Sequence, residues 1–205
     1  MSGKSRIILY TQRVEMIEGR SERRDCADQQ IAKFLWACGF TAVPVNNLPD
    51  CVERFSDAVC PSGILFTGGN DLVKYGGTAP ERDETERILL EYAMRKGIPL
   101  LGVCRGMQVI ADYFGNPLQR VSGHAACRHP IEGEMPRVSV NSYHNWGLLS
   151  AAEPLRMLSQ AKDGVIEAIR HREQSIMGIM WHPERETPFQ DADIMLASNF
   201  LNGRD

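Results

Sequence analysis

The 205-residue chain carries 23 basic and 26 acidic residues, a formal net charge of -3. That balance lacks the broad positive field of a general nucleic-acid binder. The length suits one domain (1–205) with a single large core. No stretch reaches the roughly 20 apolar residues that cross a bilayer, so neither nucleic acid nor membrane is an expected partner.

The opening Met1-Ser2-Gly3-Lys4-Ser5-Arg6 leads into an apolar run at 7–10, too short for a signal-peptide core and suited to a first strand. A cytoplasmic, reducing setting is therefore expected, with Cys26, Cys38, Cys51, Cys60, Cys104 and Cys127 as free thiols. A helix is expected from near 25 to 37, with Ile31, Phe34 and Leu35 at core spacing and Gly39 as its stop. A strand over 41–45 follows, and Pro49-Asp50 breaks the chain after it. Residues 63–66 form a third strand ending in Thr67-Gly68-Gly69-Asn70. A helix over 81–96 precedes a wholly apolar strand at 98–103, as suits the centre of a parallel sheet. Residues 107–114 are helical. Short strands at 137–140, 155–158, 165–170 and 176–181 then precede a last helix over 191–201. The alternation in the first half argues for βαβ units. The whole reads as an α/β fold, a flavodoxin-like three-layer sandwich with a mostly parallel sheet and a β-rich excursion in its second half.

The sharpest local signal is Gly102-Val103-Cys104-Arg105-Gly106, directly after the apolar strand and before a helix. This is the nucleophile-elbow pattern with cysteine in the serine's place. So tight a turn brings neighbouring backbones close enough to require glycines, and it raises a sulfur beside a helix N-terminus that favours the thiolate. A buried cysteine in a glycine-rich turn would show the same five residues. Two further features favour chemistry. Thr67-Gly68-Gly69-Asn70 ends the preceding strand on the same sheet edge, so the N–H groups of Gly69 and Arg105 are candidate oxyanion donors. Trp181-His182-Pro183-Glu184 ends the last apolar run. Spacing i, i+2 puts a base, His182, beside a group that can fix its tautomer, Glu184. His124, His129 and His144 lack such a partner at that spacing.

Together with Val140-Asn141-Ser142-Tyr143-His144, these motifs resemble the class I glutamine amidotransferase superfamily, and more closely its free-standing γ-glutamyl hydrolase branch. The resemblance implies that Gln108 contacts the glutamyl group and that Ser142 and Tyr143 hold its α-amino and α-carboxylate ends. It leaves the role of His144 open. At the N-terminus, Thr11-Gln12-Arg13-Val14-Glu15 and Glu22-Arg23-Arg24-Asp25-Cys26 resemble the branch that hydrolyses γ-glutamyl-CDP-amidate. Arg13 would then lie at the ligand crevice, and Arg23 and Arg24 just before or within the start of the first helix, where guanidinium groups suit phosphate. A solvated charge cluster is the alternative, since Glu15, Glu18, Glu22 and Asp25 are interspersed.

The expected reaction is hydrolysis of a γ-glutamyl amide, C–N or P–N linked, through a thioester on Cys104, with no cofactor and no metal. His124, Cys127 and His129 offer nitrogen and sulfur donors, but no fourth ligand follows at a recognised zinc spacing. The expected partner is a small-molecule γ-glutamyl substrate, while a homodimer and a separate synthase chain stay open. The alternatives are a glutaminase subunit that delivers ammonia to such a synthase, and a non-catalytic relative that only binds a ligand.

Overall fold

The computed structural model describes residues 6–204, so part of the opening segment read above, 1–5, lies outside the described residues. In chain order the elements are β1 (Ile7–Tyr10), β2 (Arg13–Met16), β3 (Arg23–Cys26), α1 (Gln29–Ala37), β4 (Thr41–Pro44), α2 (Pro49–Val59), β5 (Gly63–Phe66), α3 (Pro80–Lys96), β6 (Leu100–Val103) and α4 (Arg105–Tyr113). There follow β7 (Gln119–Arg120), β8 (Ala125–Gly133), β9 (Arg137–Tyr143), β10 (Trp146–Gly147), β11 (Leu155–Ala161), β12 (Ile166–His171), β13 (Ile176–Ile179) and α5 (Asp191–Leu201).

Nine strands make one sheet in the order β4-β1-β5-β6-β13-β12-β11-β8-β9. The first five are parallel, and among themselves they follow the 2-1-3-4-5 order of flavodoxin-like folds. The last four are antiparallel additions, which is the β-rich excursion folded back onto the sheet. Strands β5, β6 and β13 are buried along their whole length, as continuous apolar strands covered on both faces must be. On one face Leu9, Ile64 and Leu100 pack with Val52 of α2, Leu89 of α3 and Ile110 of α4. On the other, Ile8, Leu65 and Leu101 meet Phe34 and Leu35 of α1 and Phe200 and Leu201 of α5. Helix, sheet and helix form the expected three layers.

Two sequence expectations are corrected. Pro49-Asp50 does not break the chain but opens the 11-residue helix α2. Proline at the first helical turn has no N–H to lose there, and its fixed φ suits a helix start. Arg23 and Arg24 do not open the first helix: they lie on β3, which pairs antiparallel with β2 as a hairpin outside the main sheet. Helix α1 begins later, at Gln29, where the Asp28 carboxylate accepts the Gln30 N–H at 2.9 Å. Residues 125–133 form β8, whose polar and imidazole-bearing residues mask its period.

Candidate active site

Loop 67–70 follows β5, Cys104 follows β6 and His182 follows the β13 segment. These are the carboxyl ends of three adjacent parallel strands, where ligands of open α/β sheets bind. At the middle strand the chain turns within one residue. Cys104 has φ 53° and ψ -105° and is followed at once by α4. A Cβ on Gly102 would lie 2.5 Å from the Gly106 carbonyl carbon, and one on Gly106 would lie 2.5 Å from the Phe66 oxygen. Both positions therefore need glycine. The Cys104 N–H donates to the Ile179 carbonyl at 2.7 Å, extending the strand pairing to the turn itself.

His182 stands opposite. Its Nδ1 lies 2.6 Å from Glu184 Oε1, and both side chains are buried. Asn141 on β9 grips the backbone of His182 twice: its Nδ2 donates to the His182 carbonyl at 2.9 Å, and its Oδ1 accepts the His182 N–H at 2.8 Å. Gly68 lies against the other side of the ring, where a Cβ would fall 2.7 Å from Cε1. Burial by itself would push the His182 pKa down, but the negative charges of Cys104 and Glu184 outweigh it and raise the value to about 9.

Loop 67–70 is held from below by a buried ion network. Arg82 of α3 donates to the carbonyls of Thr67 at 2.8 Å and Gly68 at 3.1 Å, and also to that of Gly69. Its Nε meets Glu86 at 3.1 Å, and Glu86 in turn pairs with Arg105, the first residue of α4. Arg105 also pairs with Asp83. Burial opposes the Glu86 charge, yet Arg105 and Arg82 keep its pKa below the usual range. Gly69 and Arg105, the two expected oxyanion donors, are thus fixed by one carboxylate. As the first helical residue, Arg105 has no acceptor for its N–H inside α4.

Arg13, Thr67, Gly68, Gly69, His182 and Arg185 line one cleft of about 150 Å³. Arg13 also meets Glu15 at 2.8 Å and remains half-exposed. Arg23 and Arg24 are not in this cleft. Arg23 is tied to Glu81 at 2.5 Å and to the Thr78 carbonyl, and Arg24 to Glu22 at 2.7 Å. Tyr143 stands edge-on to the His182 ring, 5.7 Å between centroids, with the Arg185 guanidinium 4.5 Å above its own ring. Gln108 is buried and donates to the Trp146 carbonyl at 2.9 Å. Ser142 is buried, with its hydroxyl on the His124 carbonyl at 2.6 Å. Arg185, Asn141 and the Arg82–Glu86 pair were missed from sequence. Arg185 directly follows the His-Pro-Glu motif and Asn141 sits between Val140 and Ser142 in another, so both carried a positional signal. Arg82 and Glu86 read only as helix surface.

The model of the class I glutamine amidotransferase domain matches residues 25–201, and the chain belongs to that family. It is an enzyme acting on γ-glutamyl amide bonds. It is 32% identical to the γ-glutamyl-CDP-amidate hydrolase of Campylobacter jejuni, over 90% of this chain and 93% of that one. It is 31% identical to the glutamine-hydrolyzing GMP synthase subunit of Pyrococcus furiosus, over 67% of this chain and 74% of the other. A solved structure of a GMP synthase subunit from Thermoplasma acidophilum matches with a TM-score of 0.68 at 16% identity, covering 95% and 92% of the two chains, a likeness of fold. Among the described residues no helix is long and apolar enough to cross a membrane.

Two outcomes follow from this geometry. Arg82→Ala leaves Glu86 buried with half its compensation and is expected to cost about 3–5 kcal/mol in urea unfolding; a cost under 1 kcal/mol would mean that the network holds nothing. The His182 pKa is raised above its ordinary 6.5. Its contribution to stability is therefore complete below about pH 6.5 and is lost as pH rises through about 9. The difference in urea midpoint between wild type and His182→Gln should shrink across that window. A difference that stays flat would show that the folded protein does not hold an imidazolium there.

Proposed function

We propose that the chain hydrolyses a γ-glutamyl amide whose leaving group carries phosphate, in the manner of a γ-glutamyl-CDP-amidate hydrolase. The observation that carries this reading is Arg13 in the same cleft as His182 and Gly69, with Arg185 beside it. Two guanidiniums at the mouth of a γ-glutamyl site suit a phosphorylated leaving group. The name of the Campylobacter jejuni relative supports the same substrate class.

In this mechanism the Cys104 sulfur attacks the γ-carbonyl carbon, and the carbonyl electron pair moves onto oxygen, facing the Gly69 and Arg105 N–H groups. His182, held as imidazolium by the charges around it, gives its Nε2 proton to the leaving nitrogen as the C–N bond breaks. A γ-glutamyl thioester remains. His182, now neutral, takes a proton from water, which attacks the thioester carbon, and the sulfur leaves as thiolate with the release of glutamate. Glu184 keeps Nδ1 protonated, so that Nε2 does the proton transfer. Nε2 has no well-aligned hydrogen bond in the free protein, and catalytic pairs often tighten only around substrate. Tyr143 stands at the rim of the glutamyl end, while Gln108 and Ser142 act through the backbone of 146 and 124 that they fix.

The GMP synthase relatives favour one second reading, a glutaminase that serves a separate synthase. Glutamine turnover that rises when a synthase chain is added would support it.

Cys104→Ala should lower kcat by about 10⁵–10⁶, measured by glutamate release; a tenth of wild-type activity remaining would end the thioester mechanism. Arg13→Ala removes a charge-assisted hydrogen bond of about 1.5–3 kcal/mol. That predicts roughly a 10- to 150-fold loss in kcat/KM for a γ-glutamyl phosphoramidate, with little change for glutamine. Arg24→Ala, outside the cleft, serves as the control. Equal losses on both substrates in Arg13→Ala would leave a general γ-glutamyl hydrolase.

A further inference from the structure

A second cluster of titratable side chains spans β8, β9 and β12 and takes no part in the chemistry above. At its centre is Glu167 of β12, fully buried, with no hydrogen-bond partner on either carboxylate oxygen. Three imidazoles converge on its Oε1. His124 Nδ1 lies at 3.1 Å, His144 Nε2 at 3.5 Å and His129 Nε2 at 3.6 Å. None of these contacts has hydrogen-bond alignment. The opposite nitrogen of each ring is engaged: His124 Nε2 with Asp163 at 2.9 Å, His144 Nδ1 with the Trp146 carbonyl at 3.0 Å, and His129 Nδ1 with the Pro130 carbonyl at 3.3 Å. A carbonyl accepts only, so the neutral rings of His144 and His129 carry their single proton on Nδ1. The nitrogens that face Glu167 are then lone pairs. Lone pairs aimed at a buried carboxylate repel it unless a cation, a proton on the ring or a metal ion, lies between them.

Geometry says which cation. Ligand atoms around a tetrahedral ion with bonds of about 2.0–2.1 Å stand roughly 3.3 Å apart, and the three distances above bracket that value. The ligand atoms of His124, His144 and Glu167 all lie within 4.8 Å of one another. Imidazole protons handed to a carboxylate or backbone carbonyl are also what orients metal-ligating histidines. We propose that His124, His144 and Glu167 form a structural site for a divalent transition ion of zinc's class, with His129, whose Nε2 lies 3.6 Å from Glu167 Oε1, turning in as the fourth ligand when the ion binds. Four protein ligands fill a tetrahedral shell and leave no open position for substrate, so the ion ties the β8–β9 arm to β12. Cys127 is not a ligand, because its thiol turns to the Gly123 carbonyl at 2.9 Å. The fourth donor absent at any zinc-like spacing comes instead from Glu167, on a strand far along the chain.

The experiment uses the full chain, stripped with chelator, incubated with zinc or cobalt and desalted. About one ion per chain should be retained, the cobalt form should show tetrahedral d–d absorption without a thiolate charge-transfer band, and zinc should raise the melting temperature of the stripped protein. Cys104→Ala and Cys127→Ser should keep the ion. His144→Ala and Glu167→Gln should lose it. Loss of the ion in Cys104→Ala, a thiolate band, or retention in both ligand variants would overturn the assignment. So would a wild-type chain that retains no ion, because the Glu167 carboxylate would then be balanced by protons on the histidines alone. The cobalt spectrum needs no variant, so a ligand mutant that fails to fold does not blunt the test.

Discussion

A single buried carboxylate, Glu86, holds two arginines that between them fix the loop after β5 and the turn after β6. Arg82 collects the carbonyls of Thr67, Gly68 and Gly69, and Arg105 begins the helix that follows Cys104. Backbone carbonyls drawn down toward a guanidinium turn the neighbouring N–H groups the other way, toward the cleft. The loop after β5 and the turn after β6 are therefore set relative to one another by charge as well as by strand pairing. The arrangement is costly to assemble without all its members, since each ion is desolvated and compensated only by the others. Such a network specifies one geometry better than it adds stability.

The histidine side of the cleft is held differently. Asn141 uses one amide to satisfy both backbone groups of His182, and a second contact from its Nδ2 reaches Glu186 at 2.7 Å. Asn141 belongs to β9, the outermost strand of the antiparallel excursion. The excursion therefore returns across the sheet to reach the end of the parallel half.

Much of this was legible in the residues, for reasons that differ from place to place. The parallel strands show because both faces are buried, leaving unbroken apolar runs such as 100–103. The elbow shows because only glycine survives at Gly102 and Gly106. Helix α2 was hidden because Pro49 signals equally a helix start and a break. The β2–β3 hairpin was hidden because its residues are mostly polar and exposed; it is fastened by side chains instead, with Asn70 meeting both Val14 backbone groups and Asp25 holding Asn47. Arg82, Glu86 and Glu167 could not be found from local pattern at all. A charged residue on a helix or strand reads as solvent-facing until tertiary structure buries it beside a partner distant in the chain.

The dihedral angles at Cys104 carry one more consequence. A positive φ is uphill for any residue with a Cβ and nearly free for glycine. Folding alone would therefore favour glycine at this position, where the surrounding turn already contains two. The cysteine therefore sits against the preference of its own backbone, a cost that the proposed thioester chemistry would account for.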